Sequence, residues 1–330
     1  MRITIILILI LFLSISINAA TKIKFATVAT EGSTWMKVMH ELAKAVEDST
    51  NGEVKFKIYP GAVQGDEKDV LRKMRIGQLH SAGFTGVGLG EILPEVRIMD
   101  APFLFNSYEE VDYVSSKLSD HFAQKFEEKG YILLGWAEVG FVYVFTNTPV
   151  NDIKDMNGVK MWMWEGDPIA EAAFTSMDIS PIPLSLTDVL TSLQTSLING
   201  VYISPLACTA LQWHTKVKFM LELPLADSNG AVLITKKQFS KLTPVQQNIL
   251  KYFSEKYLRQ LTQLSRQDNE KSLELIKKAG IKFTNITDEK QLQSFNEAGK
   301  VARQSLVGKL FDQEFLTQVE NYVLDYRNSK

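Results

Sequence analysis

From Lys22 onward, short apolar runs with strand period alternate with longer stretches of helical period, a pattern that predicts α/β layers with largely parallel sheets. KIKFATVA reads as a strand. It leads into a helix carrying Trp35, Val38, Met39, Leu42 and Val46 on one face and stopped by Asn51-Gly52. VKFKIYP is the next strand, DVLRKMRIG a helix and SAGFT a third strand, and YILLGWAEVGFVYVFTN reads as one long extended crossing segment. A second cycle follows. In GVKMWMWEGDP, Val159, Met161 and Met163 share one face of a strand and Lys160, Trp162 and Trp164 the other, while Asp167 and Pro168 supply an N-cap and a preset first turn for the next helix. Ligands of open α/β sheets sit beyond the carboxyl ends of strands, where this aromatic cluster falls.

Farther on, Ser185 is placed to cap a helix carrying Val189, Leu190, Leu193 and Leu197, Asn199-Gly200 ends it, and VYIS is a strand. Thr243-Pro244-Val245-Gln246 is a capping box with proline at the first helical position. The helical pattern then runs almost to Gly280, roughly 50 Å at 1.5 Å per residue, long enough to span two domains.

The first twenty residues differ in kind. An early Arg2, an unbroken apolar run from Ile5 to Leu13 and small residues at Ala19 and Ala20 predict a secretory signal peptide over residues 1–19, and hence a periplasmic, soluble mature protein. Removing Arg2 changes 36 basic residues to 35 against 38 acidic ones, so the net charge moves from −2 to −3. No basic block suggests nucleic acid or an anionic membrane. The single Cys208 excludes an intrachain disulfide and reads as a buried filler.

Catalytic patterns are missing. The four histidines, His40, His80, His121 and His214, fall in no HExxH, and there is no GxSxG elbow or GxxxxGK[ST] loop. GFTGVGLG has the wrong glycine spacing for a dinucleotide loop and is expected to form a turn lining a cleft, with no helix directly after it.

DIKDMNGVKMWMW, PIPLSLTDVLTSLQTSLINGVYISPLA, QWHTKVKFM, YPGAVQGDEKDVLRKMRIGQLH and DAPFLF, in their order and spacing, resemble the DctP-like solute-binding subunits of tripartite ATP-independent periplasmic (TRAP) transporters. The resemblance runs from about Thr21 to the C-terminal helices. It implies a two-domain periplasmic receptor, domain I formed by residues 20–139 plus 229–268 and domain II by residues 140–228 plus 269–330. A long helix backs both domains, which close on a small solute. The partners it implies are that solute and the small and large membrane subunits of the permease, and the receptor is expected to be a monomer without catalytic activity.

One departure matters. Most members carry an arginine two positions after the lysine of the GVKMWMW strand, where it grips a ligand carboxylate; this chain has Trp162. A second arginine, common after the glycine of the preceding crossing strand, falls on Val142. Other cleft positions map onto Val28, Ala29, Glu67, Thr85, Glu165, Leu186 and Ser204, and the candidate ligand-binding set also includes Trp136, Glu138, Trp164, Trp213 and His214. Arginine offers five fixed donors and tryptophan one N–H beside a broad apolar face, so the ligand is expected to carry apolar or aromatic surface rather than an arginine-clamped carboxylate. Lys160, His214 and Lys216 are substitute cations. No cofactor is expected, with one variant in which Glu31, Glu138 and Glu165 hold a ligand-bridging calcium. The competing reading is a secreted hydrolase or isomerase using His214 or cleft carboxylates. Replacing Trp162 by arginine is expected to weaken ligand binding and leave the fold intact, because an arginine stem can cover apolar surface while its head reaches water.

Overall fold

The computed structural model describes residues 20–330, so the expected signal peptide lies outside the described residues. Two main sheets make up the α/β architecture. The first, in the order β2-β1-β3-β11-β4, combines β1 (Thr21–Ala26), β2 (Val54–Tyr59), β3 (Ser81–Thr85), β4 (Tyr131–Trp136) and β11 (Gly230–Thr235). β1 is parallel to β2 and β3, joined by the crossover helices α1 (Thr34–Ser49) and α2 (Glu67–Arg75), whereas β11 runs antiparallel to both β3 and β4. The second sheet is centred on β5 (Gly140–Thr146), which is antiparallel to β8 (Gly200–Ile203), β9 (Phe219–Leu221) and β10 (Ala226–Ser228); β12 (Lys282–Thr284) lies parallel beside β9. A short parallel pair, β6 (Trp162–Trp164) and β7 (Ile182–Leu184), stands off this sheet.

Parallel pairing, expected for most of the sheets, is therefore confined to part of the molecule. βαβ crossovers enforce parallel strands only where a helix returns the chain to the same edge. β11 instead arrives from the other sheet, and its backbone finds partners in the opposite direction.

The expected single crossing segment is two strands. β4 ends at Trp136 and β5 begins at Gly140, and in the link Ala137 N–H donates to Gly230 (2.7 Å) and Val139 N–H to Ser228 (2.9 Å), so the outgoing chain pairs with the returning one. Gly140 has φ of +104° and a side chain there would strike the Asn269 amide, which makes glycine necessary at the turn. Asn269 lies on α9 (Pro244–Lys278), the 35-residue helix foreseen from its capping box, which packs on α1 and β4 on one side and on α7 (Pro205–Ala210) and β5 on the other.

Two local expectations change. Ser185 is not a helix cap: its hydroxyl meets the Thr187 and Asp188 side chains at 2.8 Å, a 3-10 turn over Leu186–Asp188 intervenes, and α6 runs only Val189–Gln194, leaving Leu197 outside it and 51% exposed. GFTGVGLG is not simply a turn: its last five residues form a helix, α3 (Gly86–Gly90), capped by the Thr85 hydroxyl. Thr85 ends β3 in extended geometry with an oxygen ready to accept a first-turn N–H, and that outweighs the poor helix propensity of the three glycines.

The remaining helices complete the layers: α4 (Tyr108–Glu128), α5 (Pro168–Thr175), α8 (Lys236–Phe239), α10 (Glu289–Ser305) and α11 (Gln313–Asn328). Within residues 269–330, α10 packs on α5 whereas α11 packs on α4, so the last helix lies with the first sheet. No helix among the described residues is long and apolar enough to cross a membrane.

Candidate functional site

Where β1, β3 and β4 end and β6 begins, the chain encloses a cavity of about 220 Å³, with walls drawn from both sides of the crossing link. The first side contributes Val28, Ala29, Trp35, Phe84 and Thr85; the second contributes Val142, Trp162, Trp164, Ile169, Leu186 and Tyr202. Aromatic and aliphatic groups dominate this lining. Trp162 is only 2% exposed, its ring stacked on Tyr202 with centroids 5.0 Å apart and met edge-on by Trp213 at 5.1 Å, while its indole N–H donates to the Leu184 carbonyl at 3.1 Å. The ring therefore belongs to the wall and to the core behind it.

Trp164 reaches across the cavity. Its indole N–H donates to Asp66 Oδ2 at 2.9 Å, and Asp66 is the N-cap of α2 on the first side.

Polar groups of the lining are largely committed to one another. Arg97 is the one lysine or arginine among the lining residues. It sits 4% exposed, with Nη2 donating to Asp167 Oδ1 at 2.8 Å and Nε lying 2.8 Å from Asp100 Oδ2 as a charge contact whose N–H points elsewhere. Asp167 also accepts from the Tyr202 hydroxyl (3.0 Å) and from Ile169 N–H, and Asp100 accepts from Asn229 N–H at 2.8 Å. Burial pushes the Asp100 carboxyl up to about 6 against the opposing pull of Arg97. One cation facing two carboxylates leaves nothing over for a third.

Glu67 lines the same cavity but is equally occupied. Its carboxylate accepts from Thr85 N–H (2.7 Å), Thr85 hydroxyl (3.0 Å) and Gly88 N–H (2.7 Å). A side chain at position 88 would collide with Glu67 Oε2, so glycine lets α3 settle on the acid. Burial nevertheless drives the Glu67 carboxyl up to about 7, the donors only partly offsetting it. An acid that holds its proton more tightly folded than unfolded contributes stability that is full below 4.5 and is lost as pH rises through about 7, an interval of roughly 3 kcal/mol at 1.36 kcal/mol per pH unit. We expect the denaturant midpoint to fall between pH 5 and pH 7.5, and Glu67→Gln to flatten part of that slope. Equal slopes in both proteins would remove Glu67 as its source.

Asp227 is fully buried on β10 and borders the cavity, and among the described residues neither of its carboxyl oxygens has a hydrogen-bond partner. Burial first, then the nearby Glu138 and Asp100 charges, raise its carboxyl well above the ordinary range, so it is held protonated.

Of the residues singled out from sequence, Val28, Ala29, Glu67, Thr85, Val142, Trp162, Trp164, Leu186 and Ser204 line the cavity. Trp136, Glu138, Glu165, Trp213 and His214 do not. Trp136 turns onto α4, donating to Ser119 at 3.1 Å with its ring edge-on to Phe122. Glu138 is 4% exposed in an ion pair with Arg266 of α9 (2.6 Å), which also holds Asp112. Glu165 is exposed, Trp213 supports Trp162 from behind, and His214 Nδ1 lies 3.3 Å from the Cys208 carbonyl. Glu31 pairs with His40, and among the described residues no group of three or more His, Cys, Asp or Glu is placed to hold a metal. Cys208 is buried, as expected of a filler.

Sequence reading passed over Trp35, Arg97, Asp100, Tyr202 and Asp227. Tyr202 alone left a usable signal, as the polar-tipped aromatic within the VYIS strand.

Comparison with known proteins gives the same direction. The model of the bacterial extracellular solute-binding proteins, family 7 (DctP), matches residues 25–309. A solute-binding protein of Chromohalobacter salexigens is 30% identical over 50% of this chain and 49% of its own length, so the chain matches about half of that relative. The sialic acid-binding periplasmic protein SiaP of Vibrio cholerae is 24% identical over 81% of this chain and 84% of its own. Among solved structures, a TRAP periplasmic solute-binding protein of Desulfovibrio salexigens with bound orotic acid superposes with a TM-score of 0.85 at 19% identity, covering 92% of this chain and 99% of that one. The relatives are periplasmic receptors for solutes, not enzymes. With a family match that spans most of its length, this chain belongs to the DctP family, family 7 of the bacterial extracellular solute-binding proteins.

Proposed function

We propose that this protein is the receptor of a TRAP-type transporter for a small organic solute with substantial apolar or aromatic surface, carrying it to the membrane subunits of the permease. The observation that carries the reading is the state of Arg97. It is the one lysine or arginine in the lining and is already shared between Asp100 and Asp167, while tryptophan holds the position where most members grip a carboxylate. A solute carboxylate entering this cavity would lose its hydration without a counter-charge, a cost of several kcal/mol. An apolar face instead gains about 25 cal/mol per Å² buried against Trp162, Trp164, Leu186 and Val142.

Calorimetric titration tests this directly. Succinate and malate should show no binding in metal-free buffer, and aromatic or branched aliphatic solutes of similar size should bind. Native mass spectrometry of the freshly purified protein identifies any solute it carries. Tight binding of succinate without metal would overturn the reading, and binding that appears only with added calcium would replace it with the metal-bridged variant.

A further inference from the structure

At the opposite end of the first sheet's strands from the cavity lies an open depression of about 460 Å³. It is bounded by His80 before β3, Tyr131 at the start of β4 and Thr235 at the end of β11. Four cations line it: Arg75 from the end of α2, Lys129 from the end of α4, and Lys237 and Lys241 from α8 and just beyond. No acidic residue does. Among the described residues none of these four forms an ion pair, although their neighbours Lys125 and Lys236 are paired with Glu128 and Glu127. Arg75 makes a long contact to the Glu91 carbonyl and lies beside the Tyr131 hydroxyl, and Lys241 donates to Gln238 Oε1 at 3.1 Å.

In a chain of net charge −2, bringing four unneutralised cations from three separate segments to one hollow costs repulsion that a random surface would relieve. Helix dipoles explain half of it. The ends of α2 and α4 converge there, and each presents about half a negative charge, which accounts for Arg75 and Lys129. Lys237 lies on α8, a single turn of four residues too short to present a comparable dipole, and Lys241 lies past that helix. Among the described residues neither of these two charges has an acidic partner.

We propose that this depression is a second site, which binds a multiply charged oxyanion of the phosphate type through Arg75, Lys129, Lys237 and Lys241. A guanidinium fork with three ammonium groups matches the several acceptor oxygens of such a group. The solute cavity faces the other end of the same strands, so occupation of one site does not require the other. His80 supplies a reporter within the hollow. Its Nδ1 accepts from Lys24 N–H at 3.1 Å, and burial, then the charges of Lys24 and Lys241, hold its pKa below the usual imidazole value despite the opposing Lys22 carbonyl. A bound dianion reverses the sign of that local field.

The test uses the mature protein and inorganic phosphate at constant ionic strength, with the His80 imidazole followed by NMR. We expect a saturable shift, a rise of roughly half a unit or more in the His80 pKa, and at least tenfold weaker binding in Lys237→Gln/Lys241→Gln, whose side chains are exposed enough to leave the fold unchanged. Sedimentation with phosphatidic acid and phosphatidylcholine vesicles separates the sources, the former presenting a phosphomonoester. Capture by the anionic vesicles alone, competed by free phosphate and lost in the double variant, assigns the site to a lipid headgroup. Response to free phosphate without vesicle capture assigns it to a soluble anion. Absence of both, or unchanged binding in the double variant, overturns the proposal.

Discussion

Trp162→Arg lowers the stability of this protein by about 4 kcal/mol or more, a loss of roughly 10 °C in melting temperature. The ring is 2% exposed and held by Tyr202, Trp164 and Trp213, so its removal takes away stacking, edge-on contacts and the hydrogen bond to Leu184 together. The incoming guanidinium meets an aromatic cluster and has no carboxylate to pair with, because Asp100 and Asp167 already share Arg97. Restoring the residue usual in the family thus fails here for a structural reason. The sequence alone suggested that the fold would tolerate it, on the view that an arginine stem lies along the wall with its head in water. That view treats Trp162 as lining only, whereas Trp213 meets it edge-on and both rings belong to one buried cluster. Differential scanning calorimetry distinguishes the two: a variant melting within 2 °C of the parent would mean that the ring contributes little to packing.

Arg97→Met has an effect of comparable size, about 3–5 kcal/mol. Methionine fills much of the same volume but leaves Asp100 and Asp167 buried at 5% and 4% exposure with their shared cation gone. Desolvation then forces protonation, and stability becomes steeply pH-dependent, recovering toward acid because neutral carboxyls tolerate burial. Adding Asp167→Asn to Arg97→Met should restore part of the loss, since one of the two stranded charges is removed. Urea midpoints for the four proteins of the cycle give the coupling energy. A single-variant loss below 1 kcal/mol would mean that water reaches the triad.

Local chemistry explains what could be read from the sequence. Asp167-Pro168 and the capping box at Thr243 carry their own hydrogen-bonding instructions, and both appear as written, with Asp167 accepting from Ile169 N–H and Thr243 from Gln246 N–H. Alternating positions in the MWMW stretch placed Trp162 and Trp164 on the cavity side, and both line it. The Arg97–Asp100–Asp167–Tyr202 cluster was hidden because its members come from three segments, Asp167 standing 70 residues from Arg97 and 35 from Tyr202, and no periodicity within a segment encodes a partner in another. Asp167 looked complete as a cap, although one carboxylate also serves Arg97 and Tyr202. Trp136 and Glu138 were misplaced for a related reason. The link after Trp136 pairs with the returning chain, which sends the indole to α4 and the acid to Arg266.

Asn269 gives the long helix a mechanical meaning. Its side-chain amide donates to the Val139 carbonyl at 2.8 Å in the outgoing link and accepts from Leu206 N–H at 2.9 Å at the start of α7, so one planar group is pinned to both halves of the molecule. Gly140 leaves no slack there, since a single added methyl would strike that amide. Any rotation of one sheet against the other that keeps these bonds has its axis close to this amide, and displacement grows with distance from it. Asp66 and Trp164, bonded face to face across the cavity, lie on α2 and β6, away from the elements α9 packs on, so a turn about this axle parts them.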